Sequence, residues 1–219
     1  MKINTDGVLL GALADADNPK TILDIGTGTG VIALMLAQRF TNACVDAVEI
    51  DEQAALTAER NFANSPFAER LNLCPVGFEE FFEQHPERKY DLIVSNPPFY
   101  INSLLSPQKG RQVAKHAGKG FFEALVNNAS GNLSDKGMFC LILPPDTAEI
   151  VRKIASMNAL FVSRQINLLS YRDSDPHREI LLLSTTQQKA IIQQFVIYNK
   201  PQIYSEEYCS ALKDFFTIF

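Results

Sequence analysis

No run of apolar residues in this 219-residue chain approaches the roughly 20 needed to cross a membrane as a helix, so no spanning segment is expected. The opening Met1-Lys2-Ile3-Asn4-Thr5-Asp6 has none of the apolar character of an export signal, and a cytoplasmic location is expected. Cysteine is sparse: Cys44, Cys74, Cys140 and Cys209 lie far apart and make no Cys-x-x-Cys pair. Three of them fall in apolar, strand-like runs, so buried reduced thiols are expected in place of disulfides or zinc. The histidines His85, His116 and His177 stand apart from one another and from the cysteines, so no metal-ligand spacing appears and no metal is expected. Repeats, low-complexity stretches and Pro/Gly-rich linkers are missing. So is any excess of positive charge, since the formal net charge is -5. That argues against a general nucleic-acid binder, which is usually basic, although it leaves room for a local basic surface.

What is present is an ordinary globular balance, 46% hydrophobic and 21% charged, over a length that suits one sizeable core. A single domain over residues 1–219 is expected. Charge is segregated within it. No acid occurs between Asp91 and Glu123, where Lys109, Arg111, Lys115, His116 and Lys119 fall, while Glu79, Glu80, Glu83 and Glu87 crowd another stretch.

Strand-like and helix-like segments alternate. Thr21–Gly26 reads as a buried strand and Val31–Phe40 as a helix of good formers. Cys44–Asp51 and Glu52–Asn64 repeat the pattern, and Leu71–Val76 is a third strand. Tyr90–Ser95 is a fourth, stopped by Asn96-Pro97-Pro98 because proline cannot donate to a ladder. Phe121–Leu133 predicts a helix, Gly137–Leu143 a fifth strand, and Asp146 a cap for a helix running to Asn158. Phe161–Leu169 and Glu179–Thr185 are strand-like, but Ser170–His177 is too short for a parallel crossover, so these two should pair antiparallel. The expectation is an α/β fold with a mostly parallel sheet and an antiparallel hairpin at its C-terminal end.

Two motifs carry chemistry. The first is Asp24-Ile25-Gly26-Thr27-Gly28-Thr29-Gly30, between the first strand and its helix. Glycines there permit a tight turn and a close ligand approach, at the sheet edge where open α/β folds bind ligands. A dinucleotide fingerprint would need glycine at position 31, which is Val31. No phosphate-binding lysine-serine pair is present either. Glu49 ends the second strand, a little short of the roughly 20-residue offset of ribose-binding acids, and a carboxylate there can accept both ribose hydroxyls. Against these readings stand a plain strand-to-helix turn and a solvated carboxylate.

The second motif is Asn96-Pro97-Pro98-Phe99, at the end of the fourth strand, which should neighbour the first. The bland reading is a proline-rich strand stop. The chemical reading is an acceptor site for an amino group on an aromatic ring. The Asn96 side-chain oxygen and the Pro97 carbonyl can accept its two hydrogens, and Phe99 can stack on the ring. The acid-free segment beside it, with Lys109, Arg111, Lys115 and Lys119, can hold phosphates of a polymer whose base enters the site, or can simply be a solvated loop.

The first motif resembles motif I of class I S-adenosylmethionine methyltransferases. The second resembles motif IV of amino-group methyltransferases acting on adenine, cytosine N4, guanine N2 or protein glutamine. Nearly the whole chain is similar to the bacterial valine-tRNA adenine-N6 methyltransferases. The resemblance runs from Thr5-Asp6-Gly7-Val8-Leu9-Leu10-Gly11-Ala12 and Leu23–Gly30 through Ala33–Arg39, Asp46–Glu49, Ser65–Arg70 and Tyr90–Phe99, to Pro176-His177-Arg178 and Tyr204-Ser205-Glu206-Glu207-Tyr208. It implies a Rossmann-like class I methyltransferase fold and methyl transfer from S-adenosylmethionine to the N6 amino group of the tRNA adenine 3′ of the anticodon. It further implies cofactor binding by Asp24, Gly26, Thr27, Gly28, Gly30, Glu49, Ile50 and Phe78, and adenine binding by Asn96 to Phe99. The tRNA is expected to meet Lys109, Arg111, Lys115, Lys119, His177 and Arg178. Three departures stand out. The chain begins at the Met-Lys that a short segment usually precedes, so its N-terminus reads as truncated relative to the family. Gly77 replaces an acid that would accept from the cofactor's adenine. Phe99 replaces a common tyrosine. Other amino acceptors (guanine N2 in ribosomal RNA, or protein glutamine) and a non-catalytic RNA-binding module are the alternatives.

Overall fold

The computed structural model describes residues 4–98 and 111–217, and of residues 111–119 the backbone alone. Eight strands form one sheet: β1 (Thr21–Ile25), β2 (Cys44–Val48), β3 (Leu71–Cys74), β4 (Tyr90–Ser95), β5 (Leu133–Leu143), β6 (Phe161–Leu169), β7 (Pro176–Ser184) and β8 (Ile191–Val196). Their order is β3-β2-β1-β4-β5-β7-β6-β8. β7 runs against β5 and β6, and every other pairing is parallel. The expected antiparallel pair is therefore present, made by β6 and β7. β8 was not anticipated. Residues 185–190 pass β6 and lay β8 parallel on its far side, at the sheet edge. Its first four residues are exposed, so an edge position gave Ile191-Ile192-Gln193-Gln194 no alternation to reveal a strand.

Both faces of the sheet are covered, as parallel strands require. Along β4, Leu92 and Val94 join one core and Ile93 the other. The first core packs under α1 (Thr5–Leu13), α2 (Val31–Arg39), α3 (Glu52–Ala63) and α7 (Glu206–Leu212). The second packs under α4 (Phe78–Gln84), α5 (Arg111–Asn132) and α6 (Pro145–Met157). A small hairpin, β9 (Tyr198–Lys200) and β10 (Ile203–Tyr204), precedes α7. The helix expected over Phe121–Leu133 begins further upstream, at Arg111, and β5 begins at Leu133. The cap expected at Asp146 is corrected: Pro144 is the cap and Asp146 lies in the first turn of α6. Pro145 follows at the first helical position, which suits proline because the N–H there has no partner within the helix.

α1 gave little periodic signal because Gly7 to Gly11 are all buried, so no polar stripe marks an outer face. Asn4 caps it by accepting from the Gly7 amide at 2.7 Å. At its other end Arg39 of α2 donates to the Gly11 and Ala14 carbonyls at 2.8 and 2.6 Å. A Cβ on Gly11 would stand 2.8 Å from the Met35 sulfur, so only glycine lets α1 lie this close to α2. Arg70, from the Ser65–Arg70 segment, donates to the carbonyls of Ala37, Phe40 and Ala43 and closes the end of α2. The cysteines are free, as expected, but only Cys140 is buried; Cys44 is exposed, and Cys74 and Cys209 are partly covered. Among the described residues, no helix is long and apolar enough to cross a membrane, and no cluster of three or more His, Cys, Asp or Glu forms a metal centre.

Candidate active site

The carboxyl ends of β1 and β4 lie side by side, because Ile25 is paired with Ser95. The Ser95 hydroxyl donates to the Ile25 carbonyl at 2.9 Å and ties the two ends together. The glycine turn that leaves β1 and the Asn96-Pro97-Pro98 that leaves β4 therefore start from adjacent points on one edge.

The glycine turn needs its residue types. Gly26, Gly28 and Gly30 have φ of 72°, 60° and 86°, in the left-handed region that side chains disfavour. Gly30 is doubly constrained, since a Cβ there would stand 2.5 Å from Phe62 Cε1. A Cβ on Gly26 would meet nothing within 4 Å, so the main chain at that point borders open space. The Gly26 and Thr27 amides donate to the Val48 carbonyl at 2.9 and 3.0 Å, which anchors the turn to β2.

Asp24 lies under the turn and is fully buried. Its Oδ2 accepts from the Thr27 hydroxyl at 2.6 Å and from the Ala33 amide at 3.1 Å. Its Oδ1 is buried without a hydrogen-bond partner. Burial pushes the carboxyl up to about 7, and the two donors only partly offset this. Glu49 reaches across from the end of β2. Its Oε2 accepts from the Gly28 amide and its Oε1 from the Asp51 amide, both at 2.8 Å. Each carboxylate oxygen keeps a second lone pair for a further donor. Beyond Glu49, Ile50 is 79% exposed, an unusual place for a large aliphatic side chain. Its Cδ1 lies 3.4 Å from where a Cβ on Gly77 would sit. Phe78, half-buried, follows Gly77 and meets Phe121 edge-on at 5.6 Å.

On the acceptor side Pro97 is buried, Asn96 partly covered and Pro98 exposed. Phe99 lies outside the described residues, as does Lys109. Arg111, Lys115 and Lys119 follow one another along the start of α5, with side chains outside the description.

The structure brings to Asn96 a neighbour that sequence reasoning missed. The start of α1 lies beside it: a Cβ on Gly7 would be 3.8 Å from Asn96 Nδ2 and 3.9 Å from Ile32 Cδ1. That start is held by a segment distant in sequence, because Arg178 Nε donates to Asp6 Oδ2 at 2.8 Å. Arg178 also donates through Nη1 to the His177 carbonyl at 2.8 Å. His177 is half-buried, its Nδ1 is buried without a partner, and burial and then Arg178 lower its pKa. Thr5-Asp6-Gly7 and Pro176-His177-Arg178 were singled out in the sequence, but nothing there revealed that they meet.

A mostly parallel sheet with this order, a glycine turn braced by two carboxylates and an Asn-Pro-Pro stop on the adjacent strand define a Rossmann-like methyltransferase. The comparisons agree. A family model described as Methyltransferase small domain matches residues 4–147. A tRNA1(Val) (adenine(37)-N6)-methyltransferase from Pedobacter heparinus is 46% identical over all of this chain and 92% of its own length. Proteins of the same name from Bacteroides thetaiotaomicron and Yersinia enterocolitica are 38% and 36% identical, each over 99% of this chain and 90% and 86% of theirs. The chain belongs to this tRNA1(Val) (adenine(37)-N6)-methyltransferase family. Among solved structures, a predicted O-methyltransferase from Agrobacterium tumefaciens shares the fold with a TM-score of 0.74 at 16% identity, over 95% of this chain and 96% of that one. TrmN from Thermus thermophilus shares it at 0.62 and 18%, over 82% of this chain and 48% of that one.

Proposed function

We propose that this protein transfers a methyl group from S-adenosylmethionine to the N6 amino group of adenine 37 in a valine tRNA, in the cytoplasm. The observation that carries the reading is the pairing of Ile25 with Ser95, which sets the glycine turn and Asn96 next to each other on one sheet edge.

The residues present fit the cofactor. The open space at Gly26, the unpartnered Oδ1 of Asp24 beneath the turn and the spare lone pairs of Glu49 suit a nucleoside with a polar tail. Glu49 takes the ribose hydroxyls, and Gly26, Thr27, Gly28 and Gly30 line the turn around the methionyl part, with Asp24 below. Ile50 and Phe78 cover the adenine ring, which gives the exposed Ile50 a reason to be apolar. Gly77 offers no carboxylate there, so that ring is held by packing more than by charge. When bound, the cofactor supplies an activated methyl on a sulfonium, and the protein's work is orientation.

An exocyclic amino group gives its lone pair to the ring and is a poor nucleophile. Asn96 and the Pro97 carbonyl accept its two hydrogens, favour pyramidalisation of the nitrogen so that its lone pair leaves conjugation with the ring, and stabilise the positive charge that grows on nitrogen. Two prolines stiffen the backbone so that the carbonyl stays aimed. Phe99 stacks on the base. No strong general base is needed, because the nitrogen sheds its proton after the bond forms. A stacked base is out of reach, so the target is an unpaired loop nucleotide. Lys109, Arg111, Lys115 and Lys119 hold its phosphates. His177 and Arg178 lie on the same edge and are the remaining candidates for RNA contact, Arg178 while its Nε also engages Asp6.

The test is transfer of labelled methyl to tRNA lacking the modification, followed by mass spectrometry of the nucleosides. N6-methyladenosine at position 37 is expected. Methylguanosine as the sole product, or no labelled nucleoside at all, would overturn the reading.

A further inference from the structure

Four tyrosines that the reaction does not use stand in one column. Tyr171 follows β6, Tyr198 opens β9, Tyr204 ends β10 and Tyr208 lies in α7. The Tyr171 and Tyr198 rings are 5.9 Å apart and tilted by 39°. Tyr198 and Tyr204 stack at 5.1 Å and 21°, and Tyr204 and Tyr208 at 4.6 Å and 11°. One end is anchored, since Tyr208 is only 7% exposed; the other is open, since Tyr171 is 40% exposed. The inner rings spend their faces on each other, which leaves the outer face of Tyr171 as the free end. That ring is also preset. The Tyr171 amide donates to Ser174 Oγ at 3.0 Å, and its carbonyl accepts from the Ser174 amide and hydroxyl at 3.0 and 2.8 Å.

The column sits on the reactive edge. β6 runs parallel to β4, so Tyr171 leaves the same carboxyl edge as Asn96. Three strand steps separate β4 from β6, about 14 Å at the usual spacing. At about 3.4 Å per stacked nucleotide that is a span of some four nucleotides, within reach of one RNA loop. Arg172 and Lys200 are exposed nearby, but so are Asp173 and Asp175. This mixed charge does not make a phosphate track, and what the place offers is a rigid aromatic face.

We propose that the outer face of Tyr171 is a stacking platform for an unpaired base of the RNA substrate, a few nucleotides from the adenine held at Asn96. The proposal rests on the tRNA reading and deepens it. A nucleobase extends the column by one ring, and the ordering of Tyr171 is already in place before the RNA arrives.

The test uses the full chain and a labelled anticodon stem-loop of valine tRNA, with Tyr171→Ala, Tyr171→Leu and Tyr171→Phe. Losing one base–aromatic stack should weaken binding about 10-fold or more in the alanine and leucine variants. The KM for RNA should rise in step, with kcat within about twofold of wild type, as expected for binding shared by ground and transition states. Phenylalanine keeps the face and should stay within about twofold in both. Leucine keeps apolar bulk, so its loss separates ring stacking from mere packing, and unchanged thermal midpoints show that the fold is intact. A 2-aminopurine in the loop should be quenched by wild type and not by Tyr171→Ala. Wild-type affinity in the alanine variant overturns the platform, and so does equal weakening by alanine and phenylalanine. If the wild type binds the stem-loop but transfers no methyl, the catalytic reading fails while the affinities still decide the platform. If it does not bind at all, both fall.

Discussion

The donor and acceptor halves of the site are built differently. The donor half lies within residues 24 to 78: Asp24 and Glu49, 9 and 21 residues from their partners, hold the turn through main-chain amides, and β2 anchors it. The acceptor half is a short stop on β4 whose support comes from two segments distant in sequence, through Gly7 beside Asn96 and Arg178 on Asp6. On the proposed reading, a pocket for a constant ligand is written in one stretch of sequence, whereas the place where the substrate base must be aimed is assembled from three.

The comparison breaks most sharply at Asn96. Asn96→Ala should lower kcat about 100- to 1,000-fold, as loss of one preorganised hydrogen-bond partner does, and leave cofactor affinity within about twofold. Single-turnover transfer and calorimetry read the two separately, and a matching loss of cofactor affinity would show that the halves are not separable. Next in size, Glu49→Ala should weaken cofactor binding about 10- to 100-fold, the range for hydrogen bonds to a charged group, with RNA affinity unchanged in a titration without cofactor.

A smaller effect tests the long-range support. Asp6→Asn and Arg178→Gln should each lower kcat about 3- to 10-fold with KM for the cofactor little changed. The double variant should be no worse than the poorer single one, because both remove one interaction. Additive losses would make the pair two independent contacts. Arg178→Lys, which keeps the charge, should recover part of the rate.

A last effect is on stability. Asp24 holds its proton more tightly in the folded chain, at about 7, than an ordinary aspartate at 3.8. The folded state therefore binds more protons than the unfolded one between these values, and stability falls as pH rises through that window and levels off above it. Asp24→Asn should flatten the fall, because its side-chain oxygen still accepts from Thr27 and Ala33. Thermal midpoints from pH 4 to 8 measure it, and an unchanged slope would place the loss elsewhere.

How much was legible follows the same division. Tyr90–Ser95 and Phe161–Leu169 could be bounded to the residue, because a proline stop or a short link fixes the end of a buried apolar run. The glycine turn and Glu49 could be placed because the backbone itself demands those residue types. The edge strand β8 and helix α1 escaped, one because its first four residues have no covered face to impose alternation and the other because Gly7 to Gly11 have no exposed face to break it. The contact of Asp6 with Arg178 escaped for another reason: an ion pair between distant segments leaves no periodic trace in either. The Tyr204–Tyr208 element was visible as a pattern, but its stacking with Tyr198 and Tyr171 depends on a hairpin that only the folded chain shows.

The bond from Arg178 to Asp6 spans 172 residues of chain. At about 5–20 residues per second, the ribosome needs roughly 10–35 s to get from one partner to the other. Glu49, the last-made partner of the glycine turn, leaves the ribosome 129 residues ahead of Arg178, so of the two halves it is the one around Asn96 whose brace is made later.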